Sequence, residues 1–143
     1  MKNVSRRAAC ALVACFALTA SLRALAQDVR ATTVQRVARD WLNLVDRGDY
    51  SASWNAAGAK FKLAMRPERW AAAAKSVRGP LGFVEQRTIF NTSFTKTFPG
   101  APEGDYALIV FRTAFRNNAD SEETITVEHE ADDHWRVVGY TVR

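Results

Sequence analysis

Four groups of side chains in this 143-residue chain have the types and spacing to do chemistry. Trp41, Asp46, Tyr50, Ser53 and Trp54 come first: aromatic faces around a carboxylate could enclose a small ligand, with Asp46 as its polar contact. The same spacing also suits a core wedge between two helices, with Asp46 as a surface or capping group. Tyr106 and Tyr140 are hydroxyl donors that an isomerase or dehydratase could aim at its substrate, with Glu85 or Asp46 as the acid of raised pKa. Glu85, however, shares its stretch with Gln86 and Arg87, the composition of a wet strand face. His129, Asp132, Asp133 and His134 lie close enough to suggest a metal, but a hairpin turn separates the histidines, and the two aspartates are ordinary turn formers. Arg78 and Arg87 bracket Gly79-Pro80-Leu81-Gly82, where they could hold an anion, cap helical carbonyls or pair with an acidic strand surface.

Other chemistries lack their parts. Both cysteines, Cys10 and Cys15, fall in the N-terminal stretch, so the remainder has no thiol nucleophile, disulfide or cysteine zinc site. Two histidines and no Gly-x-Ser-x-Gly give little to a catalytic triad. Pro99-Gly100-Ala101-Pro102-Glu103-Gly104 is too proline-rich to offer a row of free N–H groups to a phosphate, and reads as a rigid inter-strand loop. No catalytic residue, metal or cofactor is expected.

The elements that would position these residues follow from periodicity. Asp28 to Arg47 reads as an amphipathic helix with Val34, Val37, Trp41, Leu44 and Val45 on one face, ended by Gly48. Asp49 caps a short second helix, with Tyr50, Ser53, Trp54 and Ala57 on one face. Lys60–Met65 fits a helix or, by its alternation, a strand. Pro67 opens a further helix whose buried face is Trp70, Ala73, Ala74 and Val77, stopped at Gly79-Pro80. From Phe83 the pattern becomes β: Phe83–Asn91 or on to Thr95, Asp105–Arg116, Glu122–Glu130 and His134–Arg143. In the third run Ile125, Val127 and His129 form the dry face and Thr124, Thr126, Glu128 and Glu130 the wet one. Arg116–Ser121 and Ala131-Asp132-Asp133 are the turns. This order predicts an α+β fold, with N-terminal helices packed on one face of a curved four-stranded antiparallel sheet. Trp41, Trp54 and Trp70 are expected in its core.

The chain begins like a secretory precursor. Lys2, Arg6 and Arg7 precede an uncharged apolar run, Ala8 to Ala20, and Ala24-Leu25-Ala26 is a small-x-small cleavage pattern. Leu12-Val13-Ala14-Cys15 has the form of a lipobox, but the apolar run continues past it. Ser5-Arg6-Arg7 continues poorly as a twin-arginine signal. Residues 1–26 are therefore expected to be a signal peptide and 27–143 a single domain, periplasmic or secreted, without a membrane anchor after processing. N-terminal mass analysis should find Gln27 first and no lipid. The full chain has 20 basic and 15 acidic residues. Lys2, Arg6, Arg7 and Arg23 leave with the signal, so the domain is nearly neutral, which argues against nucleic acid as a partner. The basic residues concentrate in the helical half and the acidic ones in the strand half.

Four motifs carry a resemblance. They are Trp41-Leu42-x-Leu44-Val45-Asp46-x-Gly48-Asp49-Tyr50-x-x-Ser53-Trp54; Trp70 with Arg78-x-Pro80-Leu81-Gly82; Pro99-Gly100-Ala101-Pro102-x-Gly104-x-Tyr106; and Trp135-Arg136-Val137-x-Gly139-Tyr140. Together they resemble the domain of unknown function 4019, a family of small exported bacterial proteins, from about Val34 to the C-terminus. The resemblance implies export but assigns no activity. In architecture the domain also resembles the cone-shaped rolls of the nuclear transport factor and cystatin-like kind, which host enzymes and binding modules alike. The expected function is a non-catalytic module that binds a small molecule or a protein partner between helices and sheet. Trp41, Asp46, Tyr50, Trp54, Tyr106 and Tyr140 are its candidate ligand residues, and self-association is compatible with it. The alternative is a small isomerase- or dehydratase-like enzyme using the same space. A hollow interior with an inward carboxylate would favour the enzyme, and one filled by Trp41, Trp54, Trp70 and Trp135 an interaction module.

Overall fold

Asp49 caps a helix because its carboxylate can accept the backbone N–H of Ala52, at 3.0 Å, as soon as the chain has turned at Gly48. Gly48 takes φ +71°, a left-handed conformation that glycine adopts without a Cβ penalty. This corner joins α1 (residues 29–46) to α2 (Tyr50–Ala56) in a computed structural model that describes residues 29–143. The expected signal peptide and its cleavage site lie outside the described residues. Among those described, no helix is long and apolar enough to cross a membrane. Residues Val34–Arg143 form one compact unit; of the preceding unit, Met1–Thr33, only the start of α1 is described.

Short α3 (Ala59–Ala64) and long α4 (Pro67–Leu81) complete the helices among the described residues. Strands β1 (Val84–Thr95), β2 (Tyr106–Phe115), β3 (Asn118–His129) and β4 (Trp135–Val142) follow as an antiparallel meander in the order β1-β2-β3-β4. The α+β class is as expected. Register shifts interrupt all three pairings, after Val84 and Ile89 in β1, after Thr113 in β2 and after Thr126 in β3. Bulges of this kind bend and twist a sheet.

Val34, Ala38, Trp41, Leu42 and Val45 of α1 pack with Trp70 and Ala74 of α4 on the sheet face made by Ala107, Ile109, Phe111, Ile125, Val127 and Val137. Trp41 and Trp70 are buried as expected, with ring centroids 5.4 Å apart, and Phe61 and Tyr140 close the cluster edge-on. Trp54 departs from the expectation. It is half-buried at the margin, its Nε1 donating to the Met65 carbonyl at 2.8 Å and Lys62 lying over its ring.

Two boundaries and one buried face also differ. The α4 helix runs through Gly79-Pro80 to Leu81. A proline in the last turn removes only one of the final hydrogen bonds, and the stop comes at Gly82, whose φ is +78°. The buried face of α4 is Trp70, Ala74 and Arg78, a clean i, i+4, i+8 stripe, which leaves Val77 exposed. The turn between β2 and β3 is only Arg116-Asn117 rather than Arg116–Ser121. Hydrogen bonds from Arg116 N to Phe83 O (2.9 Å) and from Asn117 N to Leu81 O (3.0 Å) pin it to the end of α4. Pairing can therefore begin at Asn118.

At its third helix the chain also wraps the edge of the sheet. The chain crosses the β4 edge at Gly58, whose N–H donates to the Val137 carbonyl at 2.8 Å, while Glu130 accepts the next N–H, from Ala59, at 2.7 Å. Beyond this crossing Phe61 turns into the core, but Lys60 and Leu63 reach the opposite sheet face. A Cβ on Gly58 would stand 2.7 Å from Glu130 Oε1 and 3.0 Å from Val138 Cγ1. Gly58→Ala should therefore destabilise the domain by about 1–3 kcal/mol, the usual cost of overpacking. Urea unfolding with an unchanged slope and a lower midpoint is the expected reading.

Candidate functional site

Four charged residues, distant in sequence, meet under the helices. The last turn of α1 supplies Asp46, the buried stripe of α4 supplies Arg78, β1 supplies Arg87 and β3 supplies Glu123. The Glu123 carboxylate is wholly buried. Its Oε2 accepts from Arg87 Nε at 2.6 Å and from Thr113 Oγ1 at 2.7 Å. Its Oε1 accepts from the Tyr140 hydroxyl at 2.7 Å and lies 3.5 Å from Arg78 Nη1. Asp46 closes the ring, accepting from Arg78 Nη2 at 2.6 Å and from both terminal nitrogens of Arg87 at 2.7 and 3.0 Å. Two acids and two guanidinium groups leave no net charge, as burial demands. Burial by itself raises the pKa of Asp46, but hydrogen bonds from Arg87 and Arg78 reverse this and hold it below 3.8. Burial and the Glu123 charge push the Tyr140 hydroxyl above its ordinary range, so it remains a donor.

Asp46 thereby ties stability to pH. A carboxyl held lower in the folded than in the unfolded chain contributes stability above its unfolded pKa, and loses it as pH falls through the folded value. The melting temperature should therefore drop as pH falls through the ordinary aspartate range and on below it. Asp46→Asn, less stable at neutral pH, should show a shallower drop, and parallel curves would mean that Asp46 takes no part.

This network reads as scaffold. Each carboxylate oxygen of Glu123 faces two donor groups, and both oxygens of Asp46 meet guanidinium nitrogens, so both acids are engaged in ion pairs within the protein. The arginines thus do what one of the sequence readings allows, pairing with strand and helix carboxylates rather than waiting for an anion. The sequence reading misses Glu123, although it has the same parity as Ile125 and Val127 and so has to share their dry face.

The structure scatters the six expected ligand residues. Trp41 and Tyr140 lie in the aromatic core, with ring centroids 5.6 Å apart, and Asp46 joins them through Arg78. Tyr50 and Trp54 pack half-buried on the core margin. Tyr106 is elsewhere: it pairs with Thr95 and Glu128 on the alternate parity of β2, and its hydroxyl donates to Pro102 O at 2.8 Å. Glu85 is exposed. Asp132 is committed to Arg136 by two hydrogen bonds of 2.8 and 2.7 Å, which push its pKa down to about 2. His129 stacks on Trp135 and contacts Asp133 at 3.0 Å. Among the described residues no three His, Cys, Asp or Glu side chains are grouped to hold a metal.

The interior is thus filled, and the open space is on the other side. A cavity of about 960 Å³ lies over the outer sheet face. Leu108 and Val110 of β2 and Thr124 and Thr126 of β3 form its floor. Leu63 of α3 and the Phe98–Pro102 segment of the β1–β2 loop form its walls. Gly104 N bonds to Lys96 O at 2.9 Å and Phe98 packs on the Tyr106 ring, which fixes that loop over the sheet. The expected wet face of β3 is accordingly not wet here: Thr126 is buried and Glu128 half-buried, bonded to Lys60. A smaller cavity of about 340 Å³ opens beside Val37, Trp41 and Leu44 of α1.

Comparison with known proteins agrees with this architecture. The profile described as "Protein of unknown function (DUF4019)" matches residues 37–140. Curated proteins give no match. Among solved structures, a Campylobacter jejuni protein described as an NTF2-like transpeptidase superposes with TM-score 0.54 at 15% identity, covering 73% of this chain and 96% of its own. The protein Aln2 from a Streptomyces species gives TM-score 0.48 at 12% identity over 78% of this chain and 88% of its own. The first likeness establishes the NTF2-like fold.

Proposed function

The chain belongs to the DUF4019 family of proteins of unknown function, and from that footing we propose that it is an exported, non-catalytic binding module whose ligand lies on the outer sheet face. One observation carries this reading. The space between helices and sheet is occupied by Trp41, Phe61, Trp70, Tyr140 and the ion network, whereas the 960 Å³ cavity on the outer sheet face is an apolar-walled groove with no acid in its lining. Pockets that bind without reacting look like this: largely apolar, with few polar groups and no acid–base pair. The location differs from the sequence expectation, which placed the ligand inside. Export rests on the signal-like residues 1–26.

The test uses N-phenyl-1-naphthylamine, a neutral probe that fluoresces in apolar surroundings. Saturable binding, weakened by Leu63→Asp without a change in melting temperature, supports the reading. Leu63 is 86% exposed, so its replacement should leave the fold intact. Binding that ignores Leu63→Asp would place the site elsewhere.

A further inference from the structure

Resting on the outer-face groove proposed above, we infer that its ligand is a long-chain carboxylate, with the acyl chain along the sheet and the head group at Arg143. Among the groove's lining residues are two cations, Lys60 and Arg143, and no acid. The two cations differ in what they have left to give. Lys60 is already bonded to Glu128 and lies 2.7 Å from the Tyr106 hydroxyl, so its charge is answered within the protein. The exposed Arg143 is fixed through its backbone, with N and O each bonded to Glu122 at 2.9 and 3.0 Å. Its guanidinium has no ion-pair partner among the described residues. A planar fork of donors beside an apolar floor is the arrangement that receives a carboxylate.

The dimensions agree with an extended chain. Tyr106 marks the Lys60 end. Arg112 is opposite Glu122, which pairs with Arg143, so the Arg143 end is six β2 residues away, about 20 Å along the strand. Between them lie Leu108 and Val110, with Leu63 above. Apolar side chains along this length suit methylenes rather than a compact polar solute, since each buried methylene strengthens binding about fourfold.

Displacement of N-phenyl-1-naphthylamine from the purified protein tests this. Palmitate should displace it at least about tenfold more strongly than hexadecanol, the scale of one charge-assisted hydrogen bond. Arg143→Gln should remove that preference while leaving hexadecanol unchanged, and Lys60→Gln should preserve most of it. Equal displacement by acid and alcohol, or a preference that survives Arg143→Gln, would overturn the inference and leave the binding reading standing. Failure of the probe itself to bind, with the protein sedimenting as a dimer, would overturn both and give the groove to a second copy of the chain.

Discussion

Glu123→Ala should destabilise the domain by about 3–5 kcal/mol, the cost of removing one partner from a buried ion pair. The reason is the set of donors left behind. Arg87 Nε, Thr113 Oγ1 and the Tyr140 hydroxyl all lose their acceptor, and Arg78 loses its second carboxylate. Asp46 remains to face two guanidinium groups alone. Against a total stability of about 5–15 kcal/mol this is severe. Glu123→Gln keeps an acceptor but not the charge, so it should fall between the alanine variant and the parent. Chemical denaturation reads both, and a loss below about 1 kcal/mol for the alanine variant would mean that water reaches the arginines once the carboxylate is gone.

Trp41→Ala should cost a similar amount, about 3–5 kcal/mol, through a different mechanism. Its ring is in contact with Trp70, Phe61 and Tyr140, and its Nε1 donates to the Ser53 carbonyl at 2.8 Å, so truncation leaves both a cavity and an unanswered buried acceptor. Trp70→Phe separates the two contributions. It keeps an aromatic ring in the cluster but gives up the 2.9 Å bond to Ser53 Oγ, a net loss of about 0.5–1.5 kcal/mol, together with the packing of the smaller ring's missing atoms. Trp54→Ala should cost less than Trp41→Ala, because its ring lies at the margin under Lys62. Thermal melts of the three variants and the parent, compared at one pH, would rank them. An equal loss at Trp54 and Trp41 would contradict the burial described here.

Trp41 and Trp70 are legible from helical period alone, because a buried helix face has a repeat that a sequence displays. The meander is legible for the same reason, with β-branched and aromatic runs punctuated by turn residues. Glu123 is not, although its parity is in plain view, because an acid on a dry face only makes sense once its partners are known, and Arg78 and Arg87 come from elements that no local pattern connects to it. Arg78 hides likewise: Val77 is the natural apolar choice for the buried face of α4, and only the ion network makes the arginine worth burying. The groove is illegible in a third way. Its β3 floor, Thr124 and Thr126, reads as the wet side of an alternating strand, and the space becomes a cavity because the chain crosses the β4 edge at Gly58 and the Phe98–Pro102 segment folds back over Tyr106.

The ion network also acts on how faithfully the strands find one another. A one-residue slip of β3 against β2 would move every side chain to the other face. Glu123 would then leave the arginines, and Glu122 or Thr124 would take its place. Glu122 would arrive with Ser121 and Glu123 displaced to the groove side, and Thr124 would bring no charge at all. Each wrong register therefore turns Ile125 and Val127 out of the core, and the one that brings in Thr124 also strands two guanidinium groups in the interior. A hairpin whose ladder hydrogen bonds alone could tolerate several alignments is left with one that satisfies α1, α4, β1 and β4 together. Proofreading of strand alignment is thus built into a side-chain cluster that four other elements must agree on.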